Sequence, residues 1–297
     1  MTATNQWRVC VAALCAVAAT VMAVIPLRAQ EKIQIVASFS IIGDFARTVG
    51  GERVNVTTLV GPNSDVHVYT PGPADAKKIA DAKLVIINGL GLEGWLPRLV
   101  QSSGSKAAIV LVTEGVAPRE LGSDADPHAW QSVANAKTYV TNIRGSLSAA
   151  DPLGANVYRA NADAYLAKLD ALDREVRGAI ARIPEARRKV ISTHDAFGYF
   201  AAAYGIAFIA PQGVSTESEP SARDIAAIIT QIRTGKIPAV FLENISDPRL
   251  IQRIAAETGA RIGGTLYSDS LTGEKGDAPT YIDMVRHNIK VLTSALN

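Results

Sequence analysis

Four histidines occur in 297 residues, and three fall where a wound parallel sheet would gather its chemistry. His67 follows a strand-like run ending at Val60, and His128 sits in Asp126-Pro127-His128-Ala129-Trp130. His194 ends a run that begins at Lys189, and Asp269 ends the last one, in Leu266-Tyr267-Ser268-Asp269-Ser270. In open parallel sheets ligands sit beyond the carboxyl ends of the strands. Two of these residues come from each half of the chain. Three imidazoles and one carboxylate suit a borderline divalent cation such as zinc. Singly, a loop histidine is ordinarily a turn or surface residue, and a strand-end aspartate ordinarily caps a turn. The joint placement is what argues for a metal. His287 shares a helix face with Asp283 and Lys290 and reads as solvated. Glu243, in Phe241-Leu242-Glu243-Asn244, also ends a strand. It competes with Asp269 for the fourth position or orients a histidine from behind.

Other chemistries find less support. Gly89-Leu90-Gly91-Leu92-Glu93-Gly94 only loosely matches a dinucleotide glycine spacing, and it follows a mid-chain strand. Ser192 and His194 are neighbours without a nucleophile elbow, and no HExxH helix occurs. An exported zinc hydrolase would need water in place of one ligand and a base beside it. Asp195 and Glu243 are the candidates for that base, and both read as structural. A receptor for chelated iron would want arginines or aromatics lining the cleft.

The elements that must position these residues alternate. Strands are expected at 33–40, 54–60, 84–88 and 107–112, and again at 189–193, 207–210, 239–242 and 261–267, with helices between them. Ser221-Ala222-Arg223-Asp224 is a capping-box start. The acidic stretch 114–127 reads as a loop. Between the two sets lies a long helix, 152–183, in which Tyr165, Leu169, Leu172, Val176, Ile180 and Ile183 recur at steps of three or four. Some thirty residues give a rod of roughly 45 Å, too long to pack across one sheet. The pattern predicts an α/β fold: two lobes of mostly parallel sheet wound by helices, joined by one long helix. The expected divisions are a signal peptide at 1–29, a first lobe at 30–150, the connecting helix at 151–184 and a second lobe at 185–297.

The first 29 residues carry Arg8, an apolar run from Val9 to Ile25, and Pro26-Leu27-Arg28-Ala29 as a cleavage-like end. This fits a secretory signal peptide rather than a membrane anchor. Thirty basic residues face 28 acidic ones. Arg8 and Arg28 belong to the leader, so the remainder is balanced, which argues against nucleic acid and anionic lipid as partners. Both cysteines, Cys10 and Cys15, lie in the leader. The exported chain then has no disulfide and no cysteine placed for a lipid anchor, and a free periplasmic protein is expected.

The chain resembles the metal-binding receptors of ABC importers, the cluster that includes zinc and manganese periplasmic binding proteins. The matching stretches are Val36 to Ser40, Gly61 to Pro71 with His67, Asn88 to Trp95, Asp126 to Trp130, Ser192 to Phe197, Phe241 to Asn244 and Leu266 to Ser270. The resemblance implies two α/β lobes on one rigid helix, a metal between the lobes, and His67, His128, His194 and Asp269 as its ligands. It also implies a membrane permease as partner, a metallochaperone as a candidate one, and a monomer. Zn(II) is the expected cargo, with Mn(II) as the alternative, because members tuned to manganese often carry glutamate where His194 stands. Two departures are visible. Val66 occupies a position that is often proline, and 114–127 lacks the long histidine-rich loop of many zinc members.

Overall fold

The computed structural model describes residues 31–121 and 124–297, so the expected leader lies outside the described residues. Two four-stranded parallel sheets form the frame. The first is built from β1 (Ile33–Phe39), β2 (Val54–Val60), β3 (Leu84–Ile87) and β4 (Ala108–Leu111), in the order β2-β1-β3-β4. A short antiparallel pair, β5 (Glu120–Leu121) and β6 (Asp124–Ala125), lies where only a loop was expected. The second sheet holds β7 (Lys189–Ile191), β8 (Ala207–Ile209), β9 (Ala239–Glu243) and β10 (Arg261–Leu266), in the order β10-β9-β7-β8. The helices in chain order are α1 (Ser40–Gly50), α2 (Pro73–Ala80), α3 (Leu96–Ser103), α4 (Val133–Ala150), α5 (Ala155–Ala181), α6 (Gly198–Tyr204), α7 (Ala222–Gly235), α8 (Arg249–Thr258) and α9 (Tyr281–Leu296).

The anticipated long helix is α5, entered through a 3-10 turn at Pro152–Gly154. Its buried face is Tyr158, Ala162, Tyr165, Leu169, Leu172, Val176, Ala179 and Ile180, the helical period seen in the sequence. Its outer face pairs Asp170 with Lys137 and Asp173 with Arg177. The capping box of α7 forms as expected: Ser221 Oγ accepts from the Asp224 N–H, and Asp224 Oδ2 accepts from the Ser221 N–H. The helix expected from 92 begins instead at Leu96, because positive φ at Gly89, Leu90 and Gly91 bends the preceding chain into a turn. No helix among the described residues is long and apolar enough to cross a membrane.

The inner faces of both sheets share one apolar core. It runs from Ile35 and Ile86 of the first sheet, through α1, α4, α5 and α9, to Phe241 and Leu266 of the second. Each sheet also has its own outer layer. Val36, Val85, Ile79 and Leu99 cover the first, and Val240, Ile228, Ile232 and Ile254 the second. At the centre Phe45 of α1 meets Tyr139, Tyr165 and Tyr281 at ring-centroid distances of 6.1, 6.1 and 4.8 Å. Those rings belong to α4, α5 and α9, so one side chain ties the long helix to elements of both halves.

Beside Phe45 in the chain, buried Asp44 accepts the Tyr281 N–H at 2.9 Å, at the N-terminus of α9. Burial pushes its carboxyl up to about 6, a rise that this bond and nearby Arg47 only partly offset. The folded protein therefore holds the Asp44 proton more tightly than the unfolded chain does. Its stabilising effect is complete below about pH 4 and is lost as pH rises through about 6. Asp44→Asn keeps an acceptor for Tyr281 and removes the buried charge. Urea denaturation should show the variant more stable at pH 7.5, by up to about 3 kcal/mol, with the gap closing near pH 4.

Candidate metal centre

The four residues singled out in the sequence meet at one point. His67, His128, His194 and Asp269 are all buried, and one ligand atom from each lies within 4.8 Å of the others. His67 Nε2 is 3.2 Å from His128 Nε2 and 3.3 Å from Asp269 Oδ2. His194 Nε2 is 3.0 Å from Asp269 Oδ2, and His128 Nε2 is 3.7 Å from Oδ1. Strand ends deliver them as parallel-sheet geometry requires. His67 follows β2, His128 follows the β5–β6 pair, His194 follows β7 and Asp269 follows β10.

Carboxylates behind two of the imidazoles set their tautomers. Asp126 Oδ1 accepts from His128 Nδ1 at 2.8 Å, and Glu243 Oε2 accepts from His194 Nδ1 at 2.6 Å. Each ring then points an Nε2 lone pair inward. Glu243 Oε1 also accepts the Thr193 and His194 N–H groups at 2.7 and 3.0 Å. Of the two roles open to Glu243, its position supports the orienting one. Asp126 Oδ2 takes Arg119 Nη1 at 2.9 Å. Burial would raise the Asp126 carboxyl, but His128 and Arg119 outweigh it and hold it below the usual range. Gly198 leaves room for that guanidinium, since an added Cβ would lie 2.0 Å from Arg119 Nη1.

Both oxygens of Asp269 and Nε2 of His194 are buried without a hydrogen-bond partner, because the 3.0 and 3.3 Å approaches lack hydrogen-bond alignment. Leaving such groups unsatisfied is costly, and a cation accepted by converging lone pairs removes the cost. Burial opposes the charge on Asp269, yet His194 and His128 hold its carboxyl well below the ordinary value. Burial likewise opposes the charge on His194, and Glu243 and Asp269 override it and raise the imidazole well above its ordinary value. A cluster that holds an imidazole proton and a carboxylate charge this firmly suits a cation. With Zn–N near 2.0–2.1 Å, the edges of a tetrahedron are about 3.3 Å, which the separations here bracket.

Several supporting residues were not legible in the sequence. Asn88 donates to the Pro127 carbonyl at 2.8 Å, just before His128, and accepts from Tyr139. Glu93 is fully buried beneath Asn88 and accepts the Asn88 and Gly89 N–H groups and the Ser38 hydroxyl. The glycines around it serve this turn and not a phosphate. Trp130 and Gln131 both donate to the Ser268 carbonyl, next to Asp269. Asn288 of α9 bonds both the N–H and the carbonyl of Tyr267. Val66 is fully buried, and its carbonyl accepts from Trp95. The solvated reading of His287 is corrected. It is half-buried, with its ring 4.6 Å from that of Tyr267 and Nε2 3.0 Å from the Thr265 carbonyl.

Residues 35–295 match the family described as "Zinc-uptake complex component A periplasmic". The chain belongs to this family of metal-binding solute receptors of ABC importers, which are not enzymes. It is 35% identical over 268 residues to the manganese-binding lipoprotein MntA of Halalkalibacterium halodurans, covering 90% of this chain and 89% of that one. It is 31% identical over 281 residues to the metal ABC transporter substrate-binding lipoprotein ScbA of Streptococcus cristatus, covering 90% of each. Among solved structures, the periplasmic zinc binding protein TroA from Treponema pallidum superposes with a TM-score of 0.86 at 31% identity, covering 89% of this chain and 99% of that chain.

Proposed function

We propose that this receptor captures Zn(II) with His67, His128, His194 and Asp269, between a lobe at 30–150 and a lobe at 185–297, and delivers it to the membrane permease of an ABC importer. The observation that carries the reading is the convergence of three imidazole nitrogens and one carboxylate within 4.8 Å in a buried pocket. Four protein donors form a closed shell for a d¹⁰ cation with no open position for a catalytic water. The third imidazole, His194, favours zinc over manganese by ligand softness. Mn(II) is the second reading, supported by the 35% identity to a relative named for manganese. A leader at 1–29 and the absence of any cysteine after Cys15 support export without a lipid anchor, unlike the relatives named lipoproteins. The balance of charge argues against affinity for nucleic acid, a monomer is the expected state, and a metallochaperone is a further candidate partner.

Metal content tests this reading directly. Protein isolated from the periplasm should carry one zinc per chain by mass spectrometry. In competition at equal free concentrations under oxygen-controlled conditions, Zn(II) should displace Mn(II). Zinc-free protein that carries manganese in the cell would make manganese the cargo. Protein with neither metal would overturn the receptor reading.

A further inference from the structure

Of the four candidate ligands only His67 reaches the surface, at 7% exposure against 0% for the other three. A cation must therefore enter and leave past His67. A cavity of about 640 Å³ opens there, lined by His67, Leu90, Asp124, Pro127, Val214 and Ser215 among others. Its far wall is the 211–220 loop of the second half. One carboxylate joins the His67 segment to that loop. Asp65 Oδ1 accepts the His67 N–H at 2.9 Å, and Oδ2 accepts the Thr216 hydroxyl at 2.6 Å. Behind the loop, Gln212 Nε2 donates to the carbonyls of Thr216 and Ser218 at 3.1 and 3.0 Å. Gln212 itself forms an isolated parallel bridge with His194. The Gln212 N–H donates to the Thr193 carbonyl at 3.3 Å, so a hydrogen-bonded path runs from the main chain beside His194 through Gln212, Thr216 and Asp65 to His67, spanning the mouth of the cleft without passing through the metal position.

We infer that this path is a strap, with Asp65 and Thr216 as positioning residues, that sets the rate at which the bound cation leaves. The inference rests on the ligand reading above. While Thr216 holds Asp65, the main chain of His67 is anchored from across the cleft. Once that bond opens, Asp65 and the His67 segment can swing together, because the same carboxylate holds both. The start of the segment stays fixed, since Asn63 N–H donates to the Leu271 carbonyl at 2.9 Å and Ser64 N–H to Ser270 Oγ at 3.3 Å. The device is therefore local to residues 65–67 and the 211–220 loop.

The test loads the full chain with Zn(II) and follows its transfer to excess chromophoric chelator by stopped flow. Thr216→Val removes the hydroxyl and leaves all four ligands in place. It should release zinc about tenfold faster, the range expected for losing one hydrogen bond to a charged acceptor. Thr216→Ser should restore the wild-type rate, and the visible spectrum of Co(II)-loaded Thr216→Val should match wild type. A wild-type release rate in Thr216→Val overturns the strap, as does an altered Co(II) spectrum. If the wild-type chain takes up no cation, or His194→Ala retains it fully, the ligand reading fails instead.

Discussion

Replacing His194 by alanine should leave a folded chain that no longer retains Zn(II). In the proposed site the imidazole supplies one of four donors, and its Nδ1 hydrogen bond to Glu243 fixes the direction of the lone pair. Partners lying behind metal-bound histidines are worth 10–100-fold in affinity, so loss of a donor itself should cost on the order of 10³-fold or more. The remaining two imidazoles and Asp269 cannot close a tetrahedron without water. Glu243 keeps its two backbone donors, Thr193 and His194 N–H, so the strand end is expected to hold its shape. Calorimetric titration with zinc reads the affinity, and circular dichroism reports the fold. The wild-type protein should also lose affinity as pH falls. His194 is held above its ordinary value by Glu243 and Asp269, against the opposing effect of burial, so its proton competes with the cation more strongly at each step down in pH. Full retention of zinc by His194→Ala, or affinity unchanged between pH 7.5 and 5, would contradict the assignment.

Phe45→Ala should be strongly destabilising, by about 3–5 kcal/mol. The ring is fully buried and meets three tyrosines from three helices. A cavity at that position is bounded by side chains with other duties: Tyr139 bonds Asn88, and Tyr281 bonds the Trp130 carbonyl. They cannot collapse into the gap without giving up those bonds. Urea denaturation followed by tryptophan fluorescence and by circular dichroism should show one shifted transition with coincident midpoints. Two separated transitions would mean that the halves unfold independently and that the core is not continuous in solution.

The strand ends and the four clustered residues were legible in the sequence because both depend on local order. Alternating strand and helix fixes where carboxyl edges fall, and three of the four histidines stand at such edges. The buried face of α5 was equally plain, since a helical stripe needs no knowledge of what it packs against. Of the residues behind the cluster, Glu243 was legible as a carboxylate that could orient a histidine, but not which histidine. Glu243 lies 49 residues from His194, and only the pairing of β7 with β9 brings the two together. Glu93 sat inside a glycine run that only loosely matched a dinucleotide spacing, and its role became visible only with the backbone turn that folds it beneath Asn88. His287 was misread because its helix face looked polar in isolation, while in the fold it lies against Tyr267 and β10. The long helix joins the two sets of strands as the sequence suggested, and the fold adds an apolar interior that both sets hold in common.

That common interior has a bearing on how cargo preference can change over generations. The four clustered side chains proposed to hold the cation all stand beyond the strands, on loops and turns. Exchanging one donor for another, imidazole for carboxylate at residue 194 for instance, disturbs little of the apolar packing. The scaffold can therefore stay constant while the cation it favours drifts, one strand end at a time.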